Sequence, residues 1–394
     1  MNVVRESTPT TSVTRKSLFA RLNARFDLRA YTMIIALVVI WLLFTVLTEG
    51  RFLTPRNLSN LARQVSITAI LAIGMVMVIV TTHIELSVGS VLGLTGGIAS
   101  ILQVWHNVST PVAILVALGF GVLIGAFHGY WVAYHNVPAF IVTLAGLLAY
   151  RGVLLGITKG QTVAPLDPSF KILSSGYLSL VPGIILTSII IIGLVFARIW
   201  SRRSKLKYGF KVLPLYLEIL TIILYCGLII LATYVLYQYE GIPYPVIIVL
   251  VLAVIFSFIT NNTKFGRQVY AMGGNIEAAR LSGINVRRRT LVVFILAGFL
   301  ASIAGVLTTA RLNAGTITAG DGAELDAIAS CVIGGTSFLG GIGSIPGAVL
   351  GALVMASIDN GMSMMNTEAY WQMIIKGAIL LLAVWLDIKT KKNR

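Results

Sequence analysis

The stretch YTMIIALVVIWLLFTVLT, residues 31–48, contains no charged side chain. As a helix rising ~1.5 Å per residue it is nearly as long as the ~30 Å hydrocarbon core of a bilayer. A basic polar tail precedes it and no small-residue cleavage site follows it, so it reads as an uncleaved anchor. Working outward, similar apolar runs recur at 65–82, 84–105, 111–134, 138–157, 177–198, 214–237, 243–260, 290–310, 324–340, 345–362 and 368–387. The fold class expected is an all-α polytopic integral membrane protein of about twelve transmembrane segments. Two places are left open. The second and third runs are separated by almost no loop around His83-Ile84-Glu85. The run at 324–340 opens with Glu324 and Asp326. Either stretch suits a broken or re-entrant segment, which membranes tolerate only where it is buried in protein or lines a cavity.

Composition agrees. The 394 residues are 57% hydrophobic and 11% charged, with a mean hydropathy of +0.90. These values exclude an ordinary soluble domain and a disordered chain. The net charge of +16 would suggest nucleic acid in a soluble protein. Here its placement matters more. Of 30 basic residues, 22 fall in four segments, 1–30, 198–211, 264–289 and 389–394. All four share one side if twelve spans alternate from a cytoplasmic N-terminus, as the positive-inside rule requires. The expected organisation is a basic cytoplasmic tail (1–30), one membrane domain (31–388) and a basic cytoplasmic tail (389–394).

Cys226 and Cys331 each stand alone in apolar runs. The histidines His83, His106, His128 and His135 have no partners at metal-ligand spacing. No metal site and no catalytic residue is expected. Glycines repeat every fourth residue at Gly89, Gly93 and Gly97, at Gly121, Gly125 and Gly129, and at Gly343, Gly347 and Gly351. Such spacing puts each trio on one helix face, where backbones approach closely in lipid. Ionisable residues inside spans mark polar pathways or buried pairs. Glu85, Arg151, Asp326, Asp359 and the neighbouring Asn360 are the candidates for a pathway. Glu218 and Lys376 lie near span ends and are expected to snorkel.

The loop 261–289, NNTKFGRQVYAMGGNIEAARLSGINVRRR, contains an apparent helix from Asn275 to Ser282. Asn275 is placed to cap its start and Gly283 to end it in a left-handed turn. A short capped helix in a compact loop suits a docking element as well as a plain connection.

These residues resemble a family. Glu277-Ala278-Ala279 followed by Gly283 resembles the coupling motif of bacterial ATP-binding-cassette importer permeases. The string GRQVYAMGGNIEAARLSGINVRR is similar to the coupling loop of their ribose, galactose and xylose branch. Gly266, Arg267, Gly273, Gly274, Asn275 and Arg280 belong to that match. Three further blocks resemble the branch in the same order: 57–97 (NLSNLARQVSITAILAIGMVMVIVTTHIELSVGSVLGLTGG), 138–152 (PAFIVTLAGLLAYRG) and 324–361 (ELDAIASCVIGGTSFLGGIGSIPGAVLGALVMASIDNG). Glu85 departs from the pattern, which has Asp in ribose-type members. The likeness covers 31–388 apart from 177–242, so that region is expected to be an added helix pair on a ten-helix pattern. With GMSMMN at 361–366, the pair is similar to the D-xylose permeases.

The resemblance implies a translocation subunit for a monosaccharide, D-xylose first. Implied partners are separate ATPase subunits using ATP and Mg, a periplasmic sugar-binding protein and a second permease copy. The implied location is the bacterial inner membrane, with both termini cytoplasmic. The sequence has no GxxxxGK[ST] phosphate loop, so ATP hydrolysis is expected in another chain. Because ATP drives the cycle, no sharp sugar site is expected inside the membrane. The alternative is an ion-gradient-driven secondary transporter. Such folds often show two similar halves, and no half-to-half repeat is visible here.

Overall fold

The computed structural model describes residues 28–210, 212 and 214–392. Most of the basic tail expected at 1–30, together with Lys211 and the last two residues, lies outside the described residues. Fifteen α-helices and one 3-10 turn (Arg51–Leu53) are assigned in these residues. They are α1 (Leu28–Leu47), α2 (Pro55–Val80), α3 (Val88–Val104), α4 (Thr110–His135), α5 (Ala139–Thr158), α6 (Pro168–Ser175), α7 (Leu180–Lys207) and α8 (Leu215–Tyr237). Then follow α9 (Tyr244–Asn262), α10 (Lys264–Gly274), α11 (Ile276–Leu281), α12 (Val286–Leu312), α13 (Ala323–Ile333), α14 (Ile345–Met364) and α15 (Ala369–Lys392). Two two-residue strands, β1 (Tyr177–Leu178) and β2 (Ile242–Pro243), pair antiparallel.

Among the described residues nine helices are long and apolar enough to cross a membrane, and Met33–Leu47 and Val88–Val104 are shorter apolar helices. The fold is a polytopic helical membrane protein, but not twelve long spans. The run at 324–340 yields only α13, whose 11 residues rise ~16 Å, about half a hydrocarbon core. Gly335, Gly340 and Gly341 have φ of 89°, 79° and 70°, so residues 334–344 do not continue the helix. The junction at 81–87 is a second non-helical passage, with Glu85 and Ser87 buried. Helix α2 begins ten residues before the apolar run at 65–82. Its polar first turns are helical because Asn57 and Gln64 bond to Asn360, a partner invisible to hydropathy. Helix α7 runs past its apolar stretch to Lys207, where Arg202 pairs with Glu218 of α8 and Arg198 lies 5.2 Å from the Tyr225 ring. Glu218 therefore does not simply snorkel.

Helices α2, α12 and α14 are the most buried of the long spans, whereas α7 has few fully buried residues and α8 and α15 have none among the described residues. Exposure of apolar side chains is the expected state of a lipid-facing helix. Small residues allow the central contacts. A Cβ at Gly121 would meet the Gly298 carbonyl and Ser302, and one at Gly125 would meet the Phe294 carbonyl, so α4 lies directly on α12. Gly129 meets Leu291 on the same helix. Gly89 and Gly93 face the carbonyls of Gly320 and Ala319, and Gly97 faces Leu154. Gly347 and Gly351 sit against the carbonyls of Gly334 and Ser330. Gly343 does not share their helix face. Helix α14 starts two residues later, capped by Ser344, whose Oγ accepts from the Gly347 N–H at 3.1 Å.

Helices α7 and α8 leave and rejoin the bundle at one point. Tyr177 pairs with Pro243 and Leu178 with Ile242, so the chain ends flanking the pair are already adjacent. Replacing 179–241 by Asn-Gly, a two-residue turn suited to antiparallel strands, is expected to leave the rest folded. Parity of the remaining spans is kept. The change in unfolding free energy is expected to be about 1 kcal/mol or less, the scale of surface changes. Thermal melting in detergent checks this; loss of a folded, monodisperse species would mean the pair is needed by the bundle.

Candidate functional site

Two short helices occupy the connection between α9 and α12, where the sequence suggested one. Thr263 breaks the chain after α9, and its Oγ1 accepts from the Gly266 N–H at 3.2 Å to start α10. A Cβ at Gly266 would meet the carbonyls of Ile259 and Thr260, so only glycine allows so sharp a return. Asn275 then caps α11, its Oδ1 accepting from the Ala278 N–H at 2.9 Å. Gly283, at φ 79°, closes the end, with the Ile284 N–H donating to the Ala279 carbonyl at 3.1 Å. Within α11 Ala279 is buried, while Ile276, Glu277, Ala278 and Arg280 are exposed. Leu281 is 89% exposed, an apolar side chain held out from a rigid, capped turn. A cleft of about 610 Å³ separates this unit from the end of α4 and is lined by His83, Asn136, Glu277, Arg280 and Arg287.

Helix α10 packs where both non-helical membrane passages meet. The Gly341 N–H donates to the Val80 carbonyl at 2.9 Å, joining the 334–344 passage to the end of α2. A Cβ at Gly273 would strike that same Val80 carbonyl and the Gly341 nitrogen. The Tyr270 hydroxyl donates to the Gly343 carbonyl at 2.8 Å. Burial pushes the Tyr270 phenol above its ordinary pKa, which keeps the donating proton in place. Gly274, by contrast, is exposed, and a Cβ there would meet nothing within 4 Å. Of the matched loop residues, then, Gly266 and Gly273 are fixed by close backbone approach. Asn275 and Gly283 shape the turn. Arg267, Glu277, Ala278 and Arg280 form the outer face.

The candidate pathway residues do not form one cluster. Glu85 is 3% exposed. Its Oε1 accepts from the Ser87 N–H and hydroxyl at 2.7 and 2.6 Å, and its Oε2 lies 3.1 Å from His128 Nδ1. His128 Nε2 lies 2.8 Å from the Tyr150 hydroxyl. This chain pins the 81–87 passage to α4 and α5. Arg151 donates to the carbonyls of Ile317 and Ala319 and pairs with Asp321 at 2.5 Å, which anchors the loop before α13. Asn360 is buried between Asn57 and Gln64. Only Asp326 and Asp359 meet. Lys376 bridges them, its Nζ 3.0 Å from Asp326 Oδ2 and 2.9 Å from Asp359 Oδ2. The expectation that Lys376 merely snorkels is corrected: α15 brings it inward as the shared counter-ion. Hydropathy missed it because no local pattern tells an inward-facing lysine from a lipid-edge one.

The opposite end of the bundle is closed by the β1–β2 pair, by the Val163–Gly315 bridge and by Gln103, whose Nε2 donates to Thr110 at 2.6 Å. A cleft of about 510 Å³ there is lined by Arg51, Arg56, Arg63 and Tyr239. Arg63 donates to the Tyr177 hydroxyl and lies 5.0 Å from that ring's centre. A second cleft of about 700 Å³ holds Asp167, whose carboxyl is kept below the usual range by hydrogen bonds from Ser169.

Comparison with known proteins places this architecture. Residues 57–384 match the family described as "Branched-chain amino acid transport system / permease component". The chain is 50% identical over 367 residues to a xylose transport system permease protein of Haemophilus influenzae, covering 93% of this chain and 98% of that one. It is 48% identical over 374 residues to the xylose transport system permease protein of Escherichia coli K12, covering 93% of each. It is 36% identical over 357 residues to the ribose import permease protein of the same organism, covering 90% of this chain and 92% of that one. No solved structure matches.

Proposed function

The chain belongs to the branched-chain amino acid transport system / permease component family, and from that premise we propose that it is the membrane-spanning subunit of an ATP-driven D-xylose importer. As a permease component it is not itself an enzyme. Two copies form the pathway in the bacterial inner membrane, with both termini cytoplasmic. A periplasmic binding protein delivers the sugar to the end that carries the arginine-lined cleft. Separate ATPase subunits, using ATP and Mg, grip the unit α10–α11 at the other end. The region 177–242 is an added pair at the rim.

The observation that carries this reading is the seat of α10. Its Gly273 and Tyr270 touch the Val80 carbonyl and residues 341–343, the ends of the two non-helical passages. A push on the exposed face of α11 is transmitted through a capped, closely packed unit to the segments of the bundle that lack helical rigidity. Energy released in one chain moves another only through such a two-state packing. Leu281 supplies an apolar contact for a groove, and Glu277 and Arg280 supply polar ones.

The test is reconstitution. This chain, the ATPase and the binding protein, placed together in liposomes, are expected to take up labelled D-xylose only with ATP, and omission of any one stops uptake. Uptake by this chain alone on a proton or sodium gradient would overturn the reading. Competition with ribose decides the sugar. In the same assay Leu281→Asp is expected to lower sugar-stimulated ATP hydrolysis by about tenfold while insertion is kept, since a charge then enters an apolar groove.

A further inference from the structure

The coupling scheme leaves the added pair, α7 and α8, without a task. The two helices touch mainly each other, and α8 meets the bundle chiefly at α2 and β2. Polar rungs hold their shared face together. The Thr187 hydroxyl lies 3.3 Å from that of Thr233, Arg198 lies 5.2 Å from the Tyr225 ring, and Arg202 pairs with Glu218. Between Asp167 and Glu240 the sequence has one carboxylate, Glu218, and Arg202 engages it. Arg203 and Lys207 are exposed and find no further carboxylate within the pair.

A different face of α7 carries these two cations. Ile189, Ile192, Phe196, Trp200, Arg203 and Lys207 follow one another at steps of three or four residues, which places them in one stripe along the helix. The first four are 61% to 67% exposed, and the Phe196 and Trp200 ring centres are 5.7 Å apart. The order along the stripe has a meaning in a bilayer. Counted at ~1.5 Å per residue from Leu180, a ~30 Å hydrocarbon core ends near Trp200. Tryptophan favours that level, between tails and headgroups. Arg203 and Lys207 stand ~5 and ~10 Å beyond it along the axis. Helical side chains lean toward the N-terminus, so both cations reach back toward the phosphate layer. Aliphatic, aromatic and cationic groups therefore match the tail, the interface and the phosphate of one phospholipid. A protein partner would require no such register with the membrane.

We propose that this face of α7 is a binding site for an anionic phospholipid. An acyl chain lies along Ile189, Ile192 and Phe196, the glycerol region rests beside Trp200, and the phosphate accepts hydrogen bonds from Arg203 and Lys207. The added pair is then an arm that ties the rim of the protein to acidic lipid. The site does not depend on the importer reading or on the identity of the sugar.

Trp200 is the reporter. The full chain is placed in vesicles of equal parts phosphatidylcholine and phosphatidylglycerol, with bromine on the acyl chains of one lipid or the other. Quenching at Trp200 is taken as the difference between each protein and its Trp200→Phe counterpart. A basic residue near the surface attracts acidic lipid by ~1 kcal/mol, about fivefold, so wild type is expected to prefer phosphatidylglycerol at least about fivefold. Arg203→Gln with Lys207→Gln is expected to bring that preference to about one. Lys205→Gln is the control. Lys205 is exposed but lies on the face of Arg198 and Arg202, and its variant is expected to keep the wild-type preference.

Equal quenching by both lipids in wild type would overturn the site. An equal loss from Lys205→Gln and from the double variant would also overturn it, because the attraction would then be diffuse. So would an unchanged preference in the double variant; weaker copurification of the ATPase subunits by that variant would then give the cations to a protein partner. Should the double variant fail to insert, salt acts on wild type directly. The screening length falls from ~10 Å at 0.1 M to ~3 Å at 1 M, and the preference is expected to fall toward equality. A preference indifferent to salt would overturn the proposal.

Discussion

Gly273→Val is expected to uncouple ATP hydrolysis from sugar transport almost completely. A Cβ at this position meets the Val80 carbonyl and the Gly341 nitrogen, both backbone atoms that cannot swing aside. Valine adds two methyl groups to that collision. Helix α10 must then lift away from α2 and from the 334–344 passage, and the contacts that join it to the bundle part. Coupling free energies between sites run ~1–3 kcal/mol, so loss of this seat removes ~5- to 150-fold of sugar-stimulated hydrolysis. Insertion and the rest of the bundle survive, because α10 lies at one end of it. Gly274→Ala is the control. A Cβ at Gly274 meets nothing within 4 Å, and that variant is expected to behave as wild type. ATP hydrolysis by the reconstituted transporter, with and without sugar-loaded binding protein, decides the matter; equal stimulation in Gly273→Val and wild type would refute the coupling role of α10.

Lys376→Met is expected to have the largest effect on stability. The side chain sits between Asp326 and Asp359 with each of the three side chains about a quarter exposed or less. Removing the cation that bridges them leaves both carboxylates without that partner. Breaking a buried ion pair in this way costs ~3–5 kcal/mol, and partial exposure puts this case near 3 kcal/mol. The sign can be checked by rescue. Adding Asp326→Asn and Asp359→Asn to Lys376→Met removes all three charges and is expected to restore most of the lost melting temperature in detergent. A Lys376→Met protein that melts with wild type would show that water already screens the pair.

Gly347→Leu tests the packing of α14. The added side chain meets the Gly334 carbonyl of the facing segment, and overpacking of this kind costs ~1–3 kcal/mol. An unchanged melting temperature would mean that α13 and α14 yield more readily than their close contact implies.

The sequence by itself determined the solvent of this protein, its helical class and the motif-bearing loop. Long apolar runs can satisfy their backbone in lipid only as helices. The α11 cap at Asn275 and its end at Gly283 were legible for a similar reason, since capping is local chemistry within a few residues. Three things were decided only by tertiary structure. Helix α2 could extend through Asn57 and Gln64 because Asn360, some 300 positions away, satisfies them. The passages at 81–87 and 334–344 could leave the helical path because Glu85, His128, Gly341 and Tyr270 supply partners that lipid does not. Lys376 could turn inward because α13 and α14 place two carboxylates within its reach. Hydropathy reports what a segment presents to lipid. The polar partners that let a chain break, extend or bury a charge inside a membrane come from elsewhere in the sequence, and only packing brings them together.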